Sequence, residues 1–296
     1  MKNFDFLFEK AKKGVQRKLI IAAAEDDNVL LSVKDAVQNG IIEPIFVGHK
    51  EKILKLAEEI EFNISPYQLI DELNPAKSAV IAVNEVRNGN AQILMKGYVQ
   101  TADFLRAILN KENGLRSSEL LSHIGVFEIP AYHKLIAITD AAQNIAPDLN
   151  EKVTIIKNAV NVFNRLGNDK PKVALLGAVE TVNPKMPATI DAATITMMNK
   201  RGQIKGCIID GPLAFDNAIS KESAEHKGIF SDVAGDADLL VTPDIEAGNV
   251  LYKSFTYFAR GTVAAVVLGA AVPIVLTSRS DSDRSKLSSI ALAACF

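Results

Sequence analysis

Short unbroken apolar runs alternate along this chain with longer stretches in which apolar residues recur every third or fourth position. The first pattern suits strands covered on both faces, and the second suits helices that bury one stripe. Leu19–Ala24 is a run of the first kind. In the segment that follows, Val29, Leu30, Val33 and Val37 share a helical face, and Gly40 is the stop signal. Residues 41–48 (IIEPIFVG) read as the next strand, so a parallel βαβ unit with a right-handed crossover is expected. Residues 49–62 and 76–89 read as amphipathic helices. Residues 92–114 read as a strand, a turn at Gly97 and a helix.

A second series starts near residues 129–133 (IPAYH). Strands are expected within 134–140, 171–179, 204–212 and 236–244, and helices within 148–167, 187–202 and 247–261. Gly261–Leu276 reads as a buried helix, a turn over LGAAVP and a buried strand. It approaches the length of a membrane span, but its small residues and Pro273 favour a soluble core. Beyond it, Leu287, Ile290, Ala291 and Ala294 are spaced like one helical face. The pattern predicts an α/β fold with largely parallel sheets and flanking helices. The expected domains are 1–130 plus 277–296, and 131–276.

Composition narrows the function. The chain has 296 residues, 48% of them hydrophobic, and a net charge of -2. Such a chain can bury a large core without disulfides, and no global positive field recruits nucleic acid. Cys207 and Cys295 form no CxxC and no zinc spacing, which fits reduced thiols in a cytoplasmic protein. The amino terminus is charged early and lacks the apolar core of a signal peptide. No GxGxxG, GxxxxGK[ST] or GxSxG is present, so the usual nicotinamide, nucleoside-triphosphate and nucleophile-elbow sites lack support. His49, His123, His133 and His226 are scattered and read as surface or structural residues, with His133 of added interest near the domain junction.

In parallel α/β folds ligands gather at the carboxyl ends of strands. Three such places stand out. In MKGYVQTADFLRAIL, Gly97 permits close backbone approach, Thr101 is a candidate N-cap, and Arg106 lies in the helix that follows. That set can hold a phosphate, and the plain alternative is a capped helix with a solvated arginine. In VTPDIEAGNVLYK, Asp244 and Glu246 follow a strand, and Gly248 and Asn249 precede a helix that carries Lys253. This segment is either a ligand-facing turn or an ordinary helix cap. In TSRSDSDRS, Ser278 and Arg279 follow a strand, and Asp281, Ser282 and Asp283 compete as N-caps. Arg279 offers a bidentate fork for an anion, and a nearby aspartate can act as a base. The alternative is a capped loop whose charges satisfy one another.

Together, DGPLAFDNAIS, SDVAGDADLLVTPDIEAGNVLYKSF, LTSRSDSD and GYVQTADFLRAIL resemble the phosphate acetyltransferase and butyryltransferase family, over essentially the whole chain. TVNPKMPATIDAA and VLTSRSDSD are more similar to its butyryl branch. The resemblance implies a two-domain α/β fold similar to isocitrate and isopropylmalate dehydrogenases, with the site in the interdomain cleft. It implies reversible acyl transfer between coenzyme A and inorganic phosphate by direct attack. Coenzyme A is then a substrate, with no tightly bound cofactor and no metal, in a cytoplasmic homo-oligomer. By that resemblance Ser278 and Arg279 are the catalytic pair, and Arg106 joins them at the phosphate. Gly97, Thr101, Asn249 and Lys253 are candidates for phosphate or coenzyme A. The acetyl branch places an aspartate base where this chain has Ser285, which leaves the proton acceptor open between Asp281, Asp283 and another residue. An acetyl preference is the nearest rival. A metal- and nicotinamide-dependent decarboxylating dehydrogenase of the same fold and a non-catalytic acyl-CoA binder are remote ones, and Asp210, Asp236, Asp238 and Asp244 make no recognisable metal motif.

Overall fold

The computed structural model describes residues 1–276 and 281–296. The chain runs α1 (Asp5–Lys13), β1 (Arg17–Ala22), α2 (Asp27–Gln38), β2 (Ile42–Gly48), α3 (Lys50–Glu59), β3 (Gln68–Asp71), α4 (Pro75–Arg87), β4 (Ile93–Lys96) and α5 (Thr101–Ile108). It continues through β5 (Ser122–Glu128), β6 (Ile136–Thr139), α6 (Leu149–Leu166), β7 (Lys172–Leu176), α7 (Pro187–Lys200), β8 (Ile208–Leu213), α8 (Phe215–Ile219) and α9 (Lys221–His226). The last elements are β9 (Leu239–Val241), α10 (Ile245–Tyr257), β10 (Thr262–Leu268), β11 (Ile274–Val275) and α11 (Asp283–Ala294). Among the described residues, no helix is long and apolar enough to cross a membrane. The expected α/β architecture is present. α1, β3, β5, α8 and α9 are additions to the expected elements.

The chain divides into two compact units. The terminal unit is Phe4–Leu121 with Ala264–Phe296, and the middle unit is Met1–Asn3 with Ser122–Val263. In the terminal unit, parallel strands run in the order β3-β2-β1-β4-β11, and β10 pairs antiparallel with β11. Ile20 stands beside Ile45 and Leu94, and Leu94 stands beside Ile274. These residues pack with Ala79, Ala82 and Val83 of α4 and with Phe104 and Ile108 of α5 in one buried cluster. The apolar runs are continuous because helices cover this sheet, as parallel strands require.

Gly261–Leu268 is a strand, not the expected helix. Val263, Val266 and Val267 are β-branched and buried, and such residues pack well on a pleated sheet. α11 also differs from a one-faced helix. Its buried residues run from Ser285 and Lys286 through Ser288–Ala294. Ser289 finds partners inside: its Oγ donates to the Ser285 carbonyl at 2.8 Å and accepts from Ala265 N at 2.9 Å. Those bonds allow this hydroxyl to be buried in the same helix as Ile290 and Leu292.

In the middle unit, β6, β9, β7 and β8 are parallel neighbours in that order, and β5 runs antiparallel to β6. Leu240 of β9 stands beside Ile138 on one side and Ala174 on the other. α6 opens on a capping box formed by Asp148 and Glu151 and closes on Gly167 at φ 94°, a left-handed turn that glycine adopts without steric cost. Four parallel strands bring their carboxyl ends to one edge of this unit, which is where a site is expected.

Candidate functional site

At that edge of the middle unit, β6 runs into Asp140, a carboxylate only 4% exposed. Its Oδ1 accepts from Ala142 N at 2.9 Å and Gln143 N at 3.0 Å. Its Oδ2 accepts from His123 N at 3.1 Å and Asn144 Nδ2 at 2.6 Å. Four donors on one buried carboxylate fix the shape of the 140–144 loop, because each would otherwise carry a desolvation cost. The neighbouring strand end joins in. Thr242 Oγ1 lies 3.3 Å from the carbonyl oxygens of Asp140 and Asp244. The loop ITDAAQN stands at a strand end in the sequence; three of the four donors to Asp140 lie within it, and the fourth, His123 N, comes from β5.

The VTPDIEAGN segment is arranged differently from the expectation. α10 begins at Ile245, and Asp244 is its N-cap, accepting from Ala247 N at 2.8 Å. Gly248 and Asn249 therefore lie inside the helix rather than before it. Gly248 is where α10 meets the 140–144 loop. Asn249 Nδ2 donates to the Ala141 carbonyl at 3.2 Å, so it holds that loop. Lys253 is exposed further along α10.

Beside this hub lies a cavity of about 1040 Å³, lined wholly by the middle unit. Its walls are largely apolar, with Leu176 and Gly177 at the end of β7, Met186 and Ala188 at the start of α7, and Val250 and Leu251 of α10. One ion pair belongs to the lining. Lys152 Nζ of α6 lies 2.7 Å from Asp191 Oδ2 of α7, with side chains 11% and 27% exposed. Neither residue stood out in the sequence, since the pair joins two helices across 39 positions.

The terminal unit holds the remaining expected residues. β4 and β11 are parallel neighbours with Met95 opposite Val275, so both leave their sheet at one edge. Gly97 allows a close approach, but to backbone: a β-carbon there would stand 2.0 Å from the Ala23 carbonyl oxygen. Gly97 N and Tyr98 N donate to the Ala22 and Ala23 carbonyls at 2.9 and 2.6 Å. Thr101 is not the N-cap of α5. Gln100 occupies that position, without a side-chain capping bond, and Thr101 is the first helical residue. Arg106 is exposed and bonded to Asp103 one turn earlier.

Ser278 and Arg279 lie outside the described residues. Past them, Ser282 is the N-cap of α11, its Oγ accepting from Ser285 N at 3.2 Å. Asp281 is half-buried, and its carbonyl accepts from Lys286 Nζ at 2.8 Å. Asp283 opens the helix with its side chain 57% exposed, and its Oδ1 lies 4.0 Å from Lys286 Nζ. Ser285 is buried with its hydroxyl 3.0 Å from that of Ser282. The lysine and the serine network thus tie the start of α11 together.

A separate charge cluster sits at the amino ends of the middle unit's strands, away from the candidate edge. Asp236 bonds to His133 Nε2 and Lys134 Nζ at 2.9 Å and to Lys172 Nζ at 2.8 Å. Burial pulls the Asp236 pKa upward, but the bonds from Lys172, Lys134 and His133 outweigh it and hold this carboxyl well below the usual range. His133 is thus accounted for by an ion-pair network.

A family model for phosphate acetyl/butaryl transferase matches residues 70–294. Over 293 residues the chain is 47% identical to a phosphate butyryltransferase of Clostridium beijerinckii, covering 99% of this chain and 97% of that one. It is 44% identical over 284 residues to a phosphate acetyltransferase of Thermotoga maritima, covering 96% of each. The crystal structure of a branched-chain phosphotransacylase from Enterococcus faecalis V583 matches with a TM-score of 0.84 at 36% identity, over 95% of this chain and 98% of that one.

Proposed function

Since this chain belongs to the phosphate acetyl/butaryl transferase family, we propose that it transfers a short acyl group, butyryl by preference, reversibly between coenzyme A and inorganic phosphate. The observation that carries this reading is the 47% identity to a phosphate butyryltransferase across nearly the whole of both chains. An acetyl preference is the second reading, supported by the 44% identity to a phosphate acetyltransferase. Coenzyme A is on this reading a dissociable substrate. The protein works in the cytoplasm as a homo-oligomer.

In one direction a phosphate oxygen attacks the thioester carbonyl carbon. The carbon–sulfur bond breaks, and the departing thiolate takes a proton. In the other direction a carboxylate removes the thiol proton, sulfur attacks the acyl phosphate carbonyl, and phosphate leaves. No covalent bond to the protein is formed in either direction. Arg279 and Arg106 hold the phosphate, and Arg106 exchanges its Asp103 partner for it. Ser278 donates to the oxyanion on the carbonyl oxygen, a contribution of roughly 3–4 kcal/mol for one such donor. Asp281 and Asp283 are the candidate proton acceptors. Gly97 and Thr101 shape the phosphate end, while Asn249 supports the coenzyme A end by holding the 140–144 loop and Lys253 meets the coenzyme's phosphates.

The test is release of coenzyme A from acetyl-, butyryl- and hexanoyl-CoA, with and without phosphate, in wild type and Arg279→Lys. Phosphate-dependent release that is fastest with butyryl-CoA and falls at least about ten-fold in the variant supports the reading, because lysine lacks the bidentate fork. Unchanged activity in Arg279→Lys removes the role given to that residue.

A further inference from the structure

Lys286 stands where local energetics disfavour a lysine. Its side chain is 3% exposed, and it lies in the first turn of α11. Taking an ammonium group out of water is costly, and only close, well-aligned acceptors offset that cost. The amine donates to the Asp281 carbonyl at 2.8 Å, while the Asp283 carboxylate stands at 4.0 Å, too far for a hydrogen bond. Among the described residues it has no other partner, although an ammonium group carries three donors. Its place in the helix adds to the cost. The amino end of a helix is the positive end of its dipole, which suits Asp283 and opposes Lys286. A methionine fills a similar volume without charge, and replacing buried charges by apolar groups is often neutral or stabilising. Such a change buries no orphaned acceptor here. Asp281 is half-buried and Asp283 is exposed, so water reaches both.

What the amine supplies is geometry. Lys286 N donates to the Ser282 carbonyl at 3.0 Å, which fixes the backbone of the turn once, and Nζ fixes it again at Asp281. Its charge also restrains the Asp283 carboxylate from 4.0 Å. A residue that breaks local rules at a cost in stability marks a place where function is expected. Resting on the acyl-transfer reading above, we propose that Lys286 is a positioning residue for proton transfer: it holds the 281–283 turn, which carries both candidate proton acceptors, in the arrangement that turnover requires. It acts through Asp281 and Asp283 and touches no substrate. Misplacing a reacting group by about 1 Å costs on the order of a hundred-fold in rate. The amine therefore governs kcat and leaves the binding of coenzyme A and phosphate alone.

The experiment compares Lys286→Met with wild type by calorimetry and by steady-state kinetics with butyryl-CoA and phosphate. The expected result separates stability from turnover. The melting temperature equals or exceeds that of wild type, kcat falls at least about ten-fold, and both KM values stay within about two-fold. A second arm adds Lys286→Met to Asp281→Asn/Asp283→Asn, where it is expected to lower the residual rate no further, because its route of action is already gone. A kcat equal to wild type in Lys286→Met overturns the inference. A lower melting temperature or a failure to fold overturns it too, since the lysine is then a structural residue. A raised KM with unchanged kcat overturns it by showing that the amine meets substrate. A full further loss in the doubly substituted background overturns the route through the two aspartates. Failure of wild type to release coenzyme A at all is a different outcome, which removes the acyl-transfer reading itself.

Discussion

A β-carbon built on Gly248 would stand 2.4 Å from the carbonyl oxygen of Asp140. Thr242 Oγ1 at 2.8 Å and the Ala141 α-carbon at 3.0 Å close the same space. α10 and the loop after β6 thus touch backbone to backbone, and only glycine fits. Alanine is the better helix former by about 1 kcal/mol. That gain is smaller than the cost of pushing apart backbone fixed by the Asp140 hydrogen bonds, about 1–3 kcal/mol for overpacking. Gly248→Ala is expected to lower the melting temperature and to reduce turnover, measured by calorimetry and by butyryl-CoA assay. A more stable variant would show that the loop yields.

Asp140→Asn tests the hub itself. The amide nitrogen replaces an acceptor with a donor that faces backbone N–H groups. The expected loss is about 1–3 kcal/mol for the donors left unsatisfied. Faster hydrogen exchange at Ala142 and Gln143 than in wild type is the local sign. Protection equal to wild type would contradict the role.

Asp236 makes stability depend on acid. Its folded pKa lies below its unfolded value, so its stabilisation is complete above the ordinary aspartate pKa of about 3.9 and is lost as pH falls through the folded value. Asp236→Asn is expected to unfold at a lower temperature than wild type at pH 7. The gap should narrow steadily below about pH 4. A gap that stays constant through this range would mean the carboxylate's charge is not what stabilises the cluster.

The thiols should be sluggish. Burial pushes Cys207 up to about 11, and burial, eased by Lys10, does the same for Cys295. The thiolate is the reactive form, and free cysteine titrates near 8.5. Alkylation of either residue by iodoacetamide near pH 8 is expected to run on the order of a hundred-fold slower than for a free thiol. Labelling at the free rate would place one of them outside its packed site.

The βαβ unit of β1, α2 and β2 was legible in the chain because its signals are local: a continuous apolar run, a helical stripe and Gly40 at φ 69°. β10 was not, because a strand covered on both faces has no period, and a short apolar run is equally consistent with a buried helix. The site was legible only in outline. Strand ends pointed to candidate loops, yet Gly97 and Asn249 serve backbone partners that lie far off in sequence. Gly97 meets Ala23, and Asn249 meets Ala141. The Lys152–Asp191 pair was hidden for the same reason, since each residue is unremarkable on its own helix.

The central claim is acyl transfer from coenzyme A to phosphate, and initial rates of coenzyme A release from butyryl-CoA against both substrates test it most directly. Direct attack in a ternary complex predicts release that requires phosphate, saturates with each substrate and gives intersecting reciprocal plots, with butyryl phosphate formed mole for mole. Release that proceeds without phosphate, or parallel plots that indicate an acylated enzyme, would contradict it.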